Sequence, residues 1–432
     1  MSGPPFFKRC CAMSEMNTLS CLNDYSGSRH PIPVAAVADI IRNVVTPVDG
    51  IVLRDLDHAA GWTLAGNLRA NEPFPPFDQS AVDGYAFHRR EFGAALRIAG
   101  LTRAGEPRRW IAEGEALHVM TGAPVPRGAD RVAMQERCTV EDGVVTPPCL
   151  LPSGTNIRRR GEDVGIGDLL VPALKRLDAR HIAILAAAGH GRVSCIRALR
   201  IGLIATGDEL VVAAAEPVPF RVRDSNTPML TALLSAAPDI ELEIVRCRDS
   251  VDEITESIAE MSETCDLVIT TGGMSFGVED HVRSACLRLG GRFALHAVAM
   301  KPGKPVGLAI LPNCILLGLP GNPFAAFATF LVVGREVLAC LRGRRPDHLS
   351  RPAIADFEIA RRPGRSEFFP VGVSGYDHTG LPKLRRLGKG GSARLMPLTL
   401  ADGLGCIAAE TPIVSKNDPI EFIDMRQAFD VQ

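Results

Sequence analysis

Three turns rich in glycine, lysine and proline carry most of the chemistry that can be read from this 432-residue sequence. After a short β-branched run at Leu267 to Ile269, the segment Thr270 to Asp280 reads TTGGMSFGVED. Gly272 and Gly273 let backbone amides approach a ligand, and Thr270, Thr271 and Ser275 offer hydroxyls. Asp280 stands where a helix begins, so its carboxylate can serve chemistry or simply cap that helix. Lys301 and Lys304 belong to KPGKP, in which Pro302 and Gly303 fix a tight turn able to present both ammonium groups to one anion. An exposed basic turn is the bland alternative. Gly318 to Pro323 reads GLPGNP, where Pro320, Gly321 and Asn322 lead into a helix whose free amides and dipole favour a negative group. Upstream, TGDEL sets Thr206 and Gly207 beside Asp208 and Glu209 at another strand end. With Asp224 and Asp280 these carboxylates are hard oxygen ligands suited to magnesium shared with substrate phosphates, or else a charged, solvated rim. The run from Asp266 to Asp280, the two lysines and the turn Gly318 to Asn322 are expected to form one pocket for a phosphate-bearing small molecule. The P-loop pattern G-x-x-x-x-G-K-[ST] does not occur in the chain, which excludes a P-loop ATPase, and Gly189, Gly191 and Ser194 do not make a dinucleotide fingerprint.

The elements that must position these turns follow from periodicity. Val34, Val37, Ile40, Ile41 and Val44 recur at helical spacing between Pro33 and Pro47. From Pro73 to about Arg160 short apolar stretches, such as Ala116 to Met120 and Arg131 to Gln135, alternate with Gly and Pro turns and predict a β-rich module. A helix returns after Asp178, a good N-cap, with Ile182, Leu185 and Ala188 on one face and Gly189 as terminator, so the β module interrupts a helical domain. The next stretch has a βαβ rhythm: a strand at Leu199 to Ala205, a helix opened by Thr227 and Pro228, a strand at Ile240 to Ile244, a helix from Val251 to Met261, and a central parallel strand at Leu267. Asp280 to Leu289 reads as a helix, Ala294 to Met300 and Val306 to Leu311 as strands, and Phe324 to Leu341 as one long apolar helix. Alternation of this kind predicts a doubly wound, mostly parallel α/β sheet whose ligands bind beyond the carboxyl ends of the strands. The basic LRGRRP, Leu341 to Pro346, reads as a linker, and the short strands after it as a small β barrel or sandwich.

Composition bounds the function classes. Hydrophobic residues make up 46% of the chain and charged residues 22%, as globular cores require. Lys plus Arg number 48 against 49 for Asp plus Glu, so no chain-wide field would hold nucleic acid or an anionic membrane. The arginine run Arg158 to Arg160 lacks interleaved aromatics and reads as a solvated or ligand-facing turn. Twelve cysteines occur without a C-x-x-C pair, which argues against zinc and for reduced thiols in a cytoplasmic protein. Residues 1–29 are expected to form a frayed tail, their apolar patch being too short for a signal peptide or a membrane span.

Taken in order, these stretches resemble the molybdopterin molybdenumtransferase family, to which the carboxy-terminal enzyme domain of gephyrin also belongs. The family's earlier motifs are matched by FDQSAVDGYAF from Phe77, MTGAPVPRGAD from Met120 and NIRRRGED from Asn156, and the resemblance runs from about Ile32 to the C-terminus. Each motif is short, but seven in family order make coincidence implausible. The resemblance implies a multidomain chain: a discontinuous helical and mixed domain at 30–68 and 162–198, a β-rich inserted domain at 69–161, an α/β molybdopterin-binding domain at 199–344 and a C-terminal β barrel at 347–432. It implies a magnesium-dependent enzyme that takes adenylylated molybdopterin and molybdate, releases AMP and inserts molybdenum between the dithiolene sulfurs of the pterin, in a homodimer with its site between subunits. An adenylyltransferase would act upstream, and molybdoenzymes or their chaperones downstream, with no nucleic acid and no membrane involved.

Carried over by motif, Ser275, Lys301 and Lys304 would hold phosphate or molybdate oxygens, and Asp280 would be a catalytic or ligand-positioning carboxylate. Asp83, Asp208 and Glu209 would complete the acidic side, with Asp83 and Thr121 facing the α/β domain of the other chain. Arg365 in GRSEF and Ser392 in GGSARL stand in family contexts. Two departures fall on the oxyanion side: Ala325 replaces a serine that many relatives carry, and Pro370 falls where they often carry an arginine. Those departures motivate a second reading, a carrier that keeps the pterin pocket with weakened insertion chemistry. The adenylyl transfer step, run by a related single domain without the Asp83 module, ranks below both.

Overall fold

The structure is a computed structural model in which residues 31–91, 93–273, 281–345 and 349–428 are described. The expected tail, Ser275 and Asp280 lie outside these residues. The chain forms two compact units, one of Leu53–Ala60 with Leu64–Cys195, the other of the chain up to Val52, Gly61–Thr63 and everything from Ile196 onward.

The first unit is built on a six-stranded sheet of β1 (Gly84–Phe87), β2 (Leu96–Thr102), β3 (Glu115–Val119), β4 (Arg131–Met134), β5 (Thr139–Glu141) and β6 (Val144–Thr146), in the order β4-β1-β3-β2-β6-β5. Neighbouring residues of one strand fall in different apolar clusters: Ala86, Leu117 and Val132 in one, Phe87, Ala116 and Ala133 in the other. Both faces are therefore covered, as the period of two requires. Asp178 caps the helix Ala179–Ala187 by accepting the amides of Arg180 and His181, as its position predicts. The arginine run is tied down within its own loop. Arg158 Nε donates to Glu162 at 2.9 Å, Arg159 to Asp78 at 2.9 Å, and the Arg160 amide to Asp78 at 2.8 Å.

The second unit contains an α/β sheet and a β barrel. The sheet comprises β7 (Leu199–Thr206), β8 (Ile240–Cys247), β9 (Leu267–Thr271), β10 (Arg292–Leu295), β11 (Gly307–Ile310) and β12 (Ile315–Leu319), ordered β8-β7-β9-β12-β11-β10. The first four strands in that order run parallel, and β11 and β10 close the far edge antiparallel. Leu203, Ile269 and Leu317 point into one core with the helices Val34–Val44, Asn226–Ser235 and Pro323–Leu341. Ile204, Val268 and Leu316 point into another with Val251–Thr264 and His281–Arg288. Helices on both faces are the geometry that leaves the strand ends open to ligands.

Three expectations are corrected in this unit. Ala294 to Met300 is not one strand: β10 ends at Leu295, and a separate short strand, Met300–Lys301, leaves the sheet to pair with the barrel. Phe324 to Leu341 is helical throughout but includes a π turn at Phe330–Gly334, where a Cβ on Gly334 would come within 2.5 Å of the Phe330 ring. Among the described residues this helix, Pro323–Leu341, has the length and apolarity of a membrane span, yet 78% of it is buried inside the protein as a core helix. The basic LRGRRP is not a solvated linker at its start, because Arg342 is buried and forks onto buried Asp239 with two contacts of 2.6 Å.

Beyond it, β13 (Arg351–Ala355), β14 (Ser366–Tyr376), β15 (Pro382–Arg386), β16 (Gly403–Ile407) and β17 (Pro419–Asp424) pair in the order β14-β15-β13-β17-β16, and a β14–β16 pairing closes the five strands into a barrel. Its interior is filled by small and aromatic residues, including Ala353, Phe369, Val371, Leu384 and Phe422.

Candidate functional site

Two cavities open where the parallel strands end. One, of about 800 Å³, is lined by Thr206, Glu209, Asp224, Gly272, Gly273 and Gly321 among others. The second, of about 570 Å³, is lined by Lys301, Lys304, Arg365, Glu367, Arg386 and Ser392 among others. Pro305, Pro320 and Asn322 line both, so the single expected pocket is two adjoining ones. Asp266 belongs to neither. It sits at the opposite end of β9, where it accepts from Arg197 and from the Arg200 amide.

Glycine is required where these loops meet. Gly272 has φ +91°, and a Cβ there would lie 2.8 Å from the Thr206 carbonyl oxygen, so only glycine lets the ends of β7 and β9 press together. Gly303 has φ +100°, and a Cβ there would overlap Thr329 Oγ1 on the buried helix beneath the lysine turn.

The lysine turn is fixed to the barrel by its own backbone. Met300–Lys301 runs parallel to β14 with Lys301 opposite Glu367, which brings Lys301 Nζ within 3.4 Å of that carboxylate. Glu367 is buried, and it also accepts from Arg361 Nε at 3.1 Å and faces Arg386 at 3.6 Å. Among the described residues it is the cavity's single carboxylate, facing Lys301, Lys304, Arg365, Arg386, Lys389 and Arg394. Such a surplus of cations is a site for a compact, multiply charged anion. Ala325 and Pro370 both line this cavity, and the Ala325 amide donates to the Ser392 carbonyl at 3.2 Å.

Sequence comparison assigns every part of this arrangement to one family. Residues 32–189 match the MoeA N-terminal region (domain I and II), 202–339 a probable molybdopterin binding domain, and 352–425 the MoeA C-terminal region (domain IV). The chain is 34% identical to the molybdopterin molybdenumtransferase of Haemophilus influenzae over 323 residues, covering 73% of this chain and 79% of that one. The chain belongs to the molybdopterin molybdenumtransferase family. The enzyme of the same name from Nostoc sp. is also 34% identical, over 72% of this chain and 75% of its own. Among solved structures, the molybdopterin biosynthesis moea protein from Pyrococcus horikosii superposes with a TM-score of 0.75 at 25% identity, covering 91% of this chain and 99% of that one.

The acidic residues that family motifs single out are distributed unevenly. Glu209 lines the larger cavity, whereas Asp208 and Gly207 line a third, of about 440 Å³, and Asp224 reaches both. Asp224 is buried, with one oxygen accepting the Thr227 amide at 3.0 Å and the other 3.7 Å from Arg246 Nε. Among the described residues no three His, Cys, Asp or Glu side chains gather to hold a metal ion, so a magnesium ion here would need ligands from the substrate as well. In the first unit, Asp83 and Thr121 do meet. Register places Gly84 opposite Val119, and Asp83 Oδ1 then accepts the Thr121 amide at 2.6 Å and its hydroxyl at 2.8 Å. The amide, then the hydroxyl, hold the Asp83 carboxyl below the usual carboxylate range.

Residues that motif reading passed over also stand at these sites. Asp249 follows β8 and accepts from Thr206 Oγ1 at 3.2 Å and His281 Nδ1 at 3.1 Å, while its amide donates to Asp208 at 3.3 Å. Its place at a strand's carboxyl end was the available signal, the same one that flagged Asp208. Glu367, Arg361 and Arg386 were also passed over; the alternation of β15, with Leu384 buried inward and Arg386 two residues on, would have pointed to the last of them.

Proposed function

We propose that this protein is an active molybdopterin molybdenumtransferase that takes adenylylated molybdopterin and molybdate, releases AMP and delivers molybdenum to the dithiolene sulfurs. The observation that carries this reading is the adjacency of the cationic cavity of Lys301, Lys304, Arg365 and Ser392 to the glycine-lined cavity of Thr206, Gly272, Gly273 and Gly321. In this reading the first holds the oxyanion and the second the adenylylated pterin. Lysine and arginine side chains then neutralise charge developing on the phosphoanhydride as the bond to AMP breaks. By their motifs, Glu209 and Asp280 are assigned to direct the attacking water and Ser275 to an oxyanion contact, Asp280 and Ser275 lying outside the described residues. Asp208, Glu209 and Asp224 would hold magnesium together with phosphates of the substrate, and the ion would neutralise phosphate charge.

We further assign the finer domain division at 30–68 with 162–198, 69–161, 199–344 and 347–432, and a cytoplasmic homodimer in which Asp83 and Thr121 of one subunit complete the other's site. The carrier reading is favoured by Ala325 and Pro370, which bring neither a hydroxyl nor a guanidinium to the cavity they line. Purified protein given adenylylated molybdopterin, molybdate and magnesium separates the two. Molybdate-dependent AMP release is expected, with Asp280→Asn abolishing it in a folded protein; binding without AMP release would reject the enzyme and leave the carrier.

A further inference from the structure

Glu367 has two buried or half-buried arginine neighbours, and the fold treats them differently. Arg361 uses four of its five N–H groups: its Nε donates to Glu367, one terminal nitrogen donates to the carbonyls of Ala408 and Thr411 at 2.8 and 2.7 Å, and the other to the carbonyl of Arg365. Arg386 lines the cavity with 24% of its side chain exposed, and among the described residues its guanidinium donates no hydrogen bond. Its separation from Glu367, 3.6 Å, is too long for one, and that carboxylate is already shared with Arg361 and Lys301. A guanidinium has five N–H donors, and with part of the side chain exposed to the cavity those of Arg386 are open to water or to a ligand.

Geometry holds that guanidinium in place. Strand alternation turns Arg386 to the same side as Leu384, and its charge centre lies 4.5 Å from the centroid of the Phe369 ring and 5.9 Å from that of Phe357. The two rings stand edge to face at 87° and restrict the guanidinium from two directions. Burial pulls Arg386 below the usual arginine range, and Glu367 offsets this only in part. Register sets Arg386 beside Val371, and the Leu387 amide donates to the Pro370 carbonyl at 2.9 Å. The guanidinium therefore shares the face of Val371 and Phe369, while Pro370 turns to the other face of β14.

We propose that Arg386 is an anion-binding residue of this cavity, offering its forked N–H groups to a tetrahedral oxyanion from β15. The inference rests on the reading of this cavity as an oxyanion site. Two sources share that chemistry, molybdate and the phosphate of the nucleotide.

Equilibrium binding of molybdate and, separately, of AMP to the full chain tests it, using Arg386→Met, Arg386→Lys and, as an outward-facing control on the same strand, Arg385→Met. Arg386→Met is expected to weaken at least one of the two anions about tenfold or more, the anion affected naming the source. Arg386→Lys, which keeps the charge but not the fork, should recover only part of the loss, while Arg385→Met leaves both affinities unchanged. If Arg386→Met lowers the unfolding temperature strongly, the folded Arg386→Lys variant decides, and wild-type affinity in it overturns the proposal. Wild-type affinity for both anions in a folded Arg386→Met protein overturns it as well. Failure of the unmodified protein to bind either anion would instead refute the oxyanion reading itself.

Discussion

Glu367→Gln separates the architecture of the cationic cavity from its binding function. Glu367 and Arg361 are almost fully enclosed, at 7% and 5% side-chain exposure, whereas Lys301 is 56% exposed. The exposed lysine contact contributes little, roughly 0–1 kcal/mol. Breaking a buried pair by removing one charge costs about 3–5 kcal/mol, but glutamine keeps a carbonyl that can still accept from Arg361 Nε, so a loss of about 2–3 kcal/mol is expected. At about 2–4 °C per kcal/mol, calorimetry should show the barrel-containing transition lowered by about 5–10 °C. Anion binding should move the other way. The substitution removes the described cavity's single carboxylate and with it a repulsion, so molybdate should bind at least as tightly as to the unmodified protein, provided the protein is folded. An unchanged unfolding temperature would refute the assignment of Glu367 as the buried counter-charge. Lost anion binding in a folded variant would refute the claim that the cations, and not Glu367, hold the ligand.

Arg342→Met should destabilise the second unit by about 3–5 kcal/mol, read by chemical denaturation, because it leaves Asp239 buried without its two 2.6 Å contacts. Gly303→Ala should cost about 1–3 kcal/mol and weaken anion binding, since alanine at φ +100° is strained and overlaps Thr329 Oγ1; an unperturbed unfolding temperature would contradict it. Thr121→Val should raise the Asp83 titration part of the way towards the ordinary carboxylate value of 3.8, since the amide remains, and carboxyl-detected NMR would show it. Because the folded carboxyl is held low, whatever Asp83 contributes is present above that ordinary value and lost as pH falls through the folded one, so Thr121→Val should narrow the acid window of stability.

What the sequence disclosed was whatever is encoded over short distances. The helix Val34–Val44 follows its apolar spacing, Asp178 caps the next helix as a helix-capping residue must, and the strand at Leu267 lies centrally between parallel neighbours. What escaped depends on pairings between distant segments. Nothing in KPGKP announces that Lys301 will lie in register with Glu367, sixty-six positions away, so the reach of the lysine turn into the barrel was invisible and Ala294 to Met300 read as a single strand. LRGRRP read as a linker because it is basic and ends in proline, and the acid that pairs with buried Arg342 is remote in the chain. Thr206 at the end of β7, Asp249 after β8 and His281 at the start of a helix likewise converge from segments distant in the chain.

The same distinction explains how an unusual sequence can retain the chemistry of its family. A motif comparison scores position 370 as a loss, because it compares one position with one position. The barrel places side chains by strand pairing: Arg386 shares the face of its partner Val371 and of Phe369, whereas Pro370 turns to the other face of β14, so the two positions are not interchangeable. At Ala325 the amide is taken by the Ser392 carbonyl and the methyl is packed at 3% exposure, while Ser392 lines the same cavity. If Arg386 serves the anion as proposed, restoring a serine at 325 should tighten molybdate binding more than restoring an arginine at 370, read by equilibrium binding, and the reverse order would count against that role.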